Sequence, residues 1–425
     1  MSDYTTFPAV LPFTMFLLHI CYNGHYKIYT PRSFLNMRIV FDCFKLVKGA
    51  GKSIGIYNFA VNMVKSMAAN RNMRNDRLIV LGNKYNRKDF EISGVTFIEV
   101  KKYDPLNRIH FTLWELFLVS TACRKLKADR VVFPRGFAPL FHTVDDVIVI
   151  HDLIPYYYDE NYPGYFNAIE NTYIKTRLKD SARFCSRVIT ISDASAADII
   201  KRFGICRRKI SVIHNSCSAI QIPEDNNGGV MHSEKTPYII AITSALPHKN
   251  AAGIIRAYER YYETVSDPLD IIVIGIEDTG DVKISDKALS HVKCIKYLED
   301  NADLYRLISG AKLMLFLSLI EGFGFPPLEA MQMGTPVICS NTSSLPEVVG
   351  DAALLVDPED ADFAANAMKE LIDDENLQKT LVQKGYENVK RFSQETRAEL
   401  YWKAVTFRKT LPWALPWRSG LLWPH

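Results

Sequence analysis

Short apolar runs alternate with longer amphipathic runs along most of the chain. This alternation is typical of parallel β-sheets whose strands are joined by crossover helices. The runs that predict strands in the first half are RIVFDCF (38–44), DRLIVLG (76–82), VTFIEV (95–100), RVVFP (130–134), DVIVIHD (146–152), RVITIS (187–192) and KISVIHN (209–215). Those in the second half are YIIAIT (238–243), DIIVIG (270–275), VKCIKYL (292–298), KLMLFLS (312–318) and TPVICS (335–340). The pattern predicts an α/β protein.

A polar, Gly-rich stretch, QIPEDNNGGVMHSEK (221–235), separates the two groups of strands and suits a linker. A chain of 425 residues is also too long for one ordinary core. We therefore predict two doubly wound, Rossmann-like domains, residues 37–220 and 237–395, joined by a linker over 221–236 and facing each other across a cleft. Ligands in such sheets bind at the carboxyl ends of the strands.

The two ends of the chain fall outside this pattern. Residues 1–36 are interpreted as an appendage, because the first strand signal begins at Met37. Its apolar part, FPAVLPFTMFLLHICY (7–22), is interrupted by prolines and shorter than the ~20 residues that span a bilayer. Residues 396–425 are predicted to form a helix and tail that return to the first domain. For the tryptophans of the tail, anchoring at a membrane interface and a disordered end are the two alternatives.

Charge is unevenly distributed along the chain. The net charge is +4, but residues 1–215 carry an excess of thirteen basic side chains and residues 216–425 an excess of nine acidic ones. A basic first half indicates an anionic partner. We find no nucleic-acid-binding motif, so we expect an anionic membrane surface or a lipid-linked diphosphate instead. The eight cysteines have no C-x-x-C spacing, which favours a reduced, cytoplasmic protein.

The stretch EGFGFPPLEAMQMGTPVICSN (321–341) contains the most informative chemistry. Its glycines allow a tight turn and its two prolines suit the first turn of a helix. Glu321 is therefore predicted on a loop, and Glu329 inside a helix that begins near Pro326. Unpaired amides at that helix start favour a phosphate, and the two carboxylates could accept hydrogen bonds from sugar and ribose hydroxyls. The alternative is a capped helix with two solvated acids.

A second glycine-rich stretch follows the first predicted strand. AGKS (50–53) resembles a phosphate-binding P-loop, but the glycine that the motif requires at position 46 is Leu46. Gly51 and Gly55 are instead predicted in a turn that opens onto the cleft and contacts a diphosphate or the acceptor.

Taken together, these residues resemble glycosyltransferase family 4. SLIEGFGFPPLEAMQMGTPVICSNTSSLPEVVGDAALLVDPED (318–360) follows the family's E-G-F-G-x-P-x-L-E-A-M block and its S-L-P-E-V-V-G-D-A extension. Weaker matches are SIGIYN (53–58), VIHDLIP (149–155), VITISDASAADI (188–199), SALPHKN (244–250) and YLEDNADLYRLISGA (297–311). The resemblance implies the GT-B fold and a retaining transferase that uses a nucleotide sugar.

The resemblance also implies roles for individual residues. Glu321 would hold hydroxyls of the donor sugar and Glu329 the ribose hydroxyls, while His151 would face the transferred sugar. The remaining donor-binding residues would be Lys249 at the diphosphate, Gly322, Phe323, Gly324 and Phe325 through their main chain, and Tyr297 and Leu298 at the base. His151, Lys249 and Glu321 form the expected catalytic set.

Each role has a plainer competitor. Glu329 could only complement the helix dipole, Lys249 could be a solvated cation, and His151 could bond a backbone carbonyl. Asp152 is expected to orient His151 or to cap the loop, and Ser192 to cap a helix. Many family members also place an arginine five or six residues before the lysine, where this chain has Thr243 and Ser244. His248 is a candidate for the missing second phosphate cation.

The resemblance implies a hexosyltransferase, with mannosyl transfer from GDP-mannose as the first choice and rhamnosyl, glucosyl or galactosyl transfer as alternatives. The acceptor would be a lipid-linked saccharide or polysaccharide of a bacterial surface, reached from the cytoplasmic face by a peripheral enzyme. No cofactor or metal is expected, since no His/Cys/Asp cluster has ligand spacing. A nucleotide-sugar epimerase and a non-catalytic saccharide-binding subunit are the rivals. GAGKSIG lacks the G-x-G-x-x-G of a nicotinamide-dependent oxidoreductase.

Overall fold

A computed structural model describes residues 36–49, 54–70, 76–217, 219–220 and 237–407. The first sheet has seven parallel strands in the order β3-β2-β1-β4-β5-β6-β7. They are β1 (Arg38–Asp42), β2 (Arg77–Gly82), β3 (Val95–Glu99), β4 (Arg130–Phe133), β5 (Asp146–Ile150), β6 (Arg187–Thr190) and β7 (Ile210–Val212). The second sheet has six, in the order β10-β9-β8-β11-β12-β13. They are β8 (Tyr238–Ile242), β9 (Asp270–Ile274), β10 (Val292–Ile295), β11 (Leu313–Phe316), β12 (Val337–Ser340) and β13 (Ala353–Val356).

Helices connect these strands and cover the sheets. Those packed with the first sheet are α1 (Ile54–Ala69), α2 (Arg87–Phe90), α3 (Arg108–Leu113), α4 (Val119–Lys125), α5 (Ile154–Asn161), α6 (Ala168–Phe184) and α7 (Asp193–Phe203), with a π-helical segment (Trp114–Leu118) between α3 and α4. The remaining helices are α8 (Ala251–Thr264), α9 (Asp286–Leu289), α10 (Asn301–Ser309), α11 (Phe325–Gln332), α12 (Leu345–Val349), α13 (Ala361–Asp373), α14 (Glu375–Lys390) and α15 (Gln394–Val405). No helix in these ranges is long and apolar enough to cross a membrane.

The twelve strands predicted from apolar runs are all present. Strands such as β1 are buried on both faces, with Ile39, Val40 and Phe41 fully inaccessible, which explains why such runs are apolar without a gap. β13 was not predicted, because its four residues lie inside the stretch recognised as a family motif. Two α/β domains with parallel sheets confirm the predicted fold class.

Each sheet contains a point where the chain reverses its direction of winding. In the first sheet this point lies between β1 and β4, and in the second between β8 and β11. Crevices at the carboxyl ends of such strand pairs are the usual ligand sites of doubly wound folds. The two domains come close at these edges, because a Cβ added to Gly322 would lie 3.1 Å from Asp152 Oδ2.

Further contacts cross between the domains near this edge. The Tyr158 hydroxyl lies 2.7 Å from His248 Nδ1. The Glu347 carboxylate accepts hydrogen bonds from the main-chain N–H groups of Asp193 (2.8 Å) and Ala194 (3.2 Å) at the start of α7. This second-domain carboxylate therefore satisfies amides at a helix start in the first domain.

The last described helix, α15, packs against α1 of the first domain. Trp402 Nε1 donates a hydrogen bond to the Met67 carbonyl (3.1 Å), and the Tyr401 ring meets the Phe59 ring edge-on with centroids 5.9 Å apart. The predicted linker 221–236, the appendage up to residue 35 and the tryptophan-rich tail from 408 lie outside the described residues.

Replacing Trp402 by phenylalanine tests this packing. The change leaves the buried Met67 carbonyl without this partner, so we expect the free energy of unfolding to fall by about 1–3 kcal/mol in urea denaturation. A matched change at an exposed aromatic residue, Tyr85→Phe, should alter it by less than about 0.5 kcal/mol. Equal stability of Trp402→Phe and the wild type would contradict this role for α15.

Candidate active site

The main chain that carries Lys249 is held in a fixed turn. Pro247–Lys249 forms a short 3-10 helix after β8, and Thr243 Oγ1 donates to the Lys249 carbonyl (2.8 Å). Asn250, in the left-handed region with φ 55°, donates from Nδ2 to the carbonyls of Leu317 and Pro358, both at 2.9 Å. Lys249 Nζ then lies 2.6 Å from Glu321 Oε1, so the structure brings these two predicted residues together.

Hydrogen bonds from Ser344 hold the loop that carries Glu321. Ser344 Oγ donates to the carbonyls of Glu321 (2.9 Å) and Phe323 (2.7 Å). Gly324 has a φ of 131°, and an added Cβ would lie 2.8 Å from Leu345 Cδ2, so a side chain does not fit there. The loop geometry thus depends on glycine at this position, while Glu321 keeps its second carboxylate oxygen without a hydrogen-bond partner among the described residues.

α11 begins at Phe325, close to the predicted start at Pro326. Its second and third residues are prolines and have no N–H to offer. The amides of Phe323, Gly324 and Phe325 donate to no other group in the described ranges. An anion at this turn would therefore meet these three amides and the ammonium group of Lys249.

Glu329 lies one turn inside α11, facing a cavity of about 400 Å³ between the domains. Its carboxylate has no hydrogen-bond partner in the described part of the chain, and burial raises its pKa to about 7. The other side chains at this cavity include Asn58 and Asn62 of α1, Ser216, Tyr305 of α10 and Phe325. An unpaired, desolvated carboxylate in a cavity is suited to accept hydrogen bonds from a ligand's hydroxyls.

His151 follows β5 and is part of a packed arrangement. Its Nε2 lies 3.0 Å from the Pro134 carbonyl, and its ring meets the Phe59 ring edge-on with centroids 4.8 Å apart. Because a carbonyl can only accept, Nε2 carries the proton and Nδ1 is the acceptor. Burial lowers the pKa of His151 to about 4, so the ring is neutral at pH 7. The backbone-carbonyl contact considered from the sequence is therefore present, and Nδ1 remains for a ligand.

His248 is not the second phosphate cation that the sequence suggested. Its side chain is 5% exposed and points to Tyr158 rather than into the Lys249 site. Burial, followed by the charge of Lys249, lowers the pKa of His248 to about 4, so it is uncharged at neutral pH. That prediction was wrong because neighbouring residues in a tight turn point in different directions.

The other predicted residues are placed as follows. Asp152 Oδ1 accepts from the Ile154 N–H (3.1 Å) and so caps the loop before α5 without bonding the His151 ring. Ser192 caps α7 through the Ser195 N–H. Gly55 borders the Glu329 cavity, whereas Gly51 lies outside the described residues.

The predicted base-binding residues follow β10. Tyr297 is 75% exposed, and Leu298 packs against the same core cluster as Tyr305. Sequence reasoning missed Asn58, Ser216 and Tyr305 as cavity residues. Tyr305 belongs to the quoted stretch YLEDNADLYRLISGA, but only the fold shows that it faces Glu329. Across the described ranges, no group of three or more His, Cys, Asp or Glu side chains could hold a metal ion.

Two family models match consecutive parts of the chain. The model described as Glycosyltransferase Family 4 matches residues 55–218, and the model described as Glycosyl transferases group 1 matches residues 225–388. Together they cover most of both domains, from residue 55 to residue 388, and include His151, Lys249, Glu321 and Glu329.

Curated relatives and solved structures agree with these matches. The chain is 30% identical to O-antigen chain mannosyltransferase B of Escherichia coli over 55% of this chain and 64% of that protein. It is 29% identical to O-antigen chain mannosyltransferase RfbU of Salmonella typhimurium over 54% and 63% of the two chains. The chain thus spans less than two thirds of either relative.

Solved glycosyltransferases share the fold. Sucrose-phosphate synthase from Thermosynechococcus elongatus superposes with a TM-score of 0.62 at 18% identity, covering 85% of this chain and 96% of that one. WaaG, a glycosyltransferase involved in lipopolysaccharide biosynthesis, superposes with a TM-score of 0.59 at 14% identity, covering 87% and 99%.

The raised pKa of Glu329 predicts how stability changes with pH. An acid whose pKa is higher in the folded state than in the unfolded state favours folding at low pH, and this contribution is lost as pH rises through about 7. Glu329→Gln removes the charge, so at pH 8 we expect the variant to be more stable than the wild type by up to about 3 kcal/mol.

This difference should shrink toward pH 4.5, and urea denaturation at several pH values measures it. Glu370→Gln, an exposed change on α13, is the matched control and should show no such trend. If the difference in free energy of unfolding between wild type and Glu329→Gln stayed constant with pH, this result would contradict the burial of the charge.

Proposed function

Since the chain belongs to glycosyltransferase family 4, we propose that it is a retaining enzyme that moves a mannosyl group from GDP-mannose to a saccharide acceptor. The acceptor is a lipid-linked saccharide or a polysaccharide under assembly for a bacterial surface. One observation supports this most directly: the Lys249–Glu321 pair, three unpaired amides and the unpaired Glu329 carboxylate lie at the carboxyl edge of one sheet.

The donor would lie along that edge. Its diphosphate meets Lys249 and the amides of Phe323, Gly324 and Phe325, while the ribose hydroxyls donate to Glu329. The sugar hydroxyls donate to Glu321, and one further hydroxyl donates to His151 Nδ1, since that nitrogen is unprotonated.

In the reaction, the bond between the anomeric carbon and the diphosphate oxygen breaks as the acceptor oxygen forms its own bond to that carbon. The acceptor's proton passes to the departing diphosphate, whose new negative charge is stabilised by Lys249 and the amides. Each such preorganised group typically contributes on the order of 100-fold to 1000-fold in rate. In this proposal the acceptor attacks from the face that the diphosphate leaves, and neither a covalent enzyme intermediate nor a metal takes part.

Mannose is the sugar that we propose the enzyme transfers. The names of the two O-antigen relatives support mannosyl transfer. Rhamnosyl, glucosyl or galactosyl transfer would use the same carboxylates and the same lysine. A nucleotide-sugar epimerase would release free sugar without an acceptor, and a saccharide-binding subunit would not need Lys249, Glu321 and Glu329 in one site.

We further propose that the enzyme works as a peripheral protein on the cytoplasmic face of an anionic membrane. Three apolar side chains, Ile109, Leu113 and Phe117, recur at four-residue spacing along α3 and the π-helical segment and are 69%, 43% and 40% exposed. Phe141, 55% exposed, extends this stripe beside Phe117. The exposed cations of the neighbouring 101–108 segment suit anionic headgroups. The partner of this domain would then be a lipid-linked acceptor and not a nucleic acid.

Saturation-transfer NMR with GDP-mannose, UDP-glucose, UDP-galactose and dTDP-rhamnose tests the donor site. We expect GDP-mannose to bind, and Glu329→Ala and Lys249→Met each to weaken it at least about 10-fold, because each loses a hydrogen bond to a charged group. Lys369→Met, an exposed change in the same domain, should leave binding unchanged. No binding, or binding that ignores both residues, would favour the saccharide-binding subunit.

Sedimentation with lipid vesicles tests the membrane surface. The protein should bind vesicles that contain phosphatidylglycerol and not pure phosphatidylcholine, and Ile109→Ser with Phe117→Ser should abolish binding. The control is Ile169→Ser, which removes a still more exposed apolar side chain on α6. If this control lost as much binding as the double change, the stripe would not be the contact surface.

A further inference from the structure

Four charged side chains meet at the point where the first sheet reverses its winding. Asp42 ends β1, Lys45 lies in the turn that follows, Arg135 comes two residues after β4, and Glu115 belongs to the π-helical segment. We call them the switch-point cluster. The residue before Arg135 is Pro134, whose carbonyl accepts from His151, so the cluster adjoins the proposed reaction centre. Lys249 and Glu321 lie at the equivalent point of the second sheet.

Neighbouring groups hold the cluster in place. Trp114 Nε1 donates to Asp42 Oδ1 (2.9 Å), and Arg135 Nη1 donates to Glu115 Oε2 (3.3 Å). Lys45 Nζ donates to the Pro105 carbonyl (3.2 Å) and lies 3.1 Å from the centre of the Phe111 ring. π-helical segments occur frequently at functional sites, and this one supplies both Trp114 and Glu115.

Much of the hydrogen-bonding capacity of these side chains is unused. Asp42 Oδ2, two N–H groups of Lys45, and Nε and Nη2 of Arg135 have no partner among the described residues. Asp42, Lys45 and Arg135 are all partly exposed.

The charges of the cluster indicate what kind of ligand fits. Two carboxylates and two cations leave it with no net charge at neutral pH, so it offers no advantage to a phosphate or a uronic acid. Hydrogen-bond acceptors and donors fixed side by side suit a ligand that both donates and accepts hydrogen bonds, as neighbouring hydroxyls of a sugar do. Hydrogen bonds to charged groups are stronger than those between neutral groups. We infer that the switch-point cluster binds the hydroxyls of a neutral pyranose at the end of the acceptor, and so selects the acceptor.

This inference rests on the proposed function, and a glycan array tests it. Labelled protein, with GDP present, is applied to immobilised oligosaccharides that end in neutral pyranoses, uronic acids or sugar phosphates. Asp42→Asn keeps the oxygen that accepts from Trp114, and Arg135→Lys keeps the charge but loses the planar fork. We expect wild type to bind neutral ends, and each variant to bind them at least about 10-fold more weakly.

Arg202→Lys is the matched control, because Arg202 pairs with Glu160 on α5, away from the cluster. It should bind glycans as wild type does. Thermal melting checks folding, and Lys45→Met serves as a further variant if either of the others unfolds. Nucleotide binding measured by saturation-transfer NMR should be unchanged in all of them.

Three results would overturn the inference: no glycan bound by wild type, a preference for acidic ends, or unchanged binding in folded Asp42→Asn and Arg135→Lys. A different result would refute the proposed function and leave the saccharide site standing. In that result the wild type binds no nucleotide, but its glycan binding still depends on the cluster.

Discussion

The cleft depends on how closely two main-chain segments approach each other at Gly322. A single added carbon there would come within 3.1 Å of Asp152 Oδ2 and 3.4 Å of the His151 carbonyl. Because glycine permits this approach, Glu321 on one side of the cleft and His151 on the other adjoin the same small space. The ammonium of Lys249, the amides before α11 and the carboxylate of Glu329 are all arranged around that contact. A side chain at this position would require one of the two segments to shift.

The domain contacts differ in kind, and this bears on how the cleft opens. The Tyr158–His248 contact is buried and joins two uncharged groups, whereas Glu347 brings a charge to the main-chain amides of α7. Opening would expose the first pair to water, which replaces its hydrogen bond, but it would also remove a carboxylate from a helix start that favours negative charge. Opening therefore changes the hydration of the first pair and the electrostatic energy of the second contact, and salt would weaken only the electrostatic energy.

The sequence predicted what is local and missed what the tertiary fold creates. Continuous apolar runs identified twelve strands, and the prolines placed the start of α11 within one residue, because these signals act through the residues that carry them. The pKa of Glu329 could not be read from its neighbours, since it comes from burial by distant segments such as α1 and α10. His248 was misassigned because its partner, Tyr158, lies 90 residues away. The switch-point cluster has no motif for the same reason: its members come from three separate segments of the chain, which meet only through the strand order.

The packing of α15 on α1 has a consequence for how the protein forms during synthesis. The face of α1 that receives Trp402 and Tyr401 belongs to the first domain, but the residues that cover it are translated after the entire second domain. A nascent first domain therefore emerges from the ribosome with that apolar face exposed. The face stays exposed while more than 150 further residues are added. During this interval the half-finished protein presents a surface on which a chaperone could act, and a stalled ribosome would release a domain prone to aggregate.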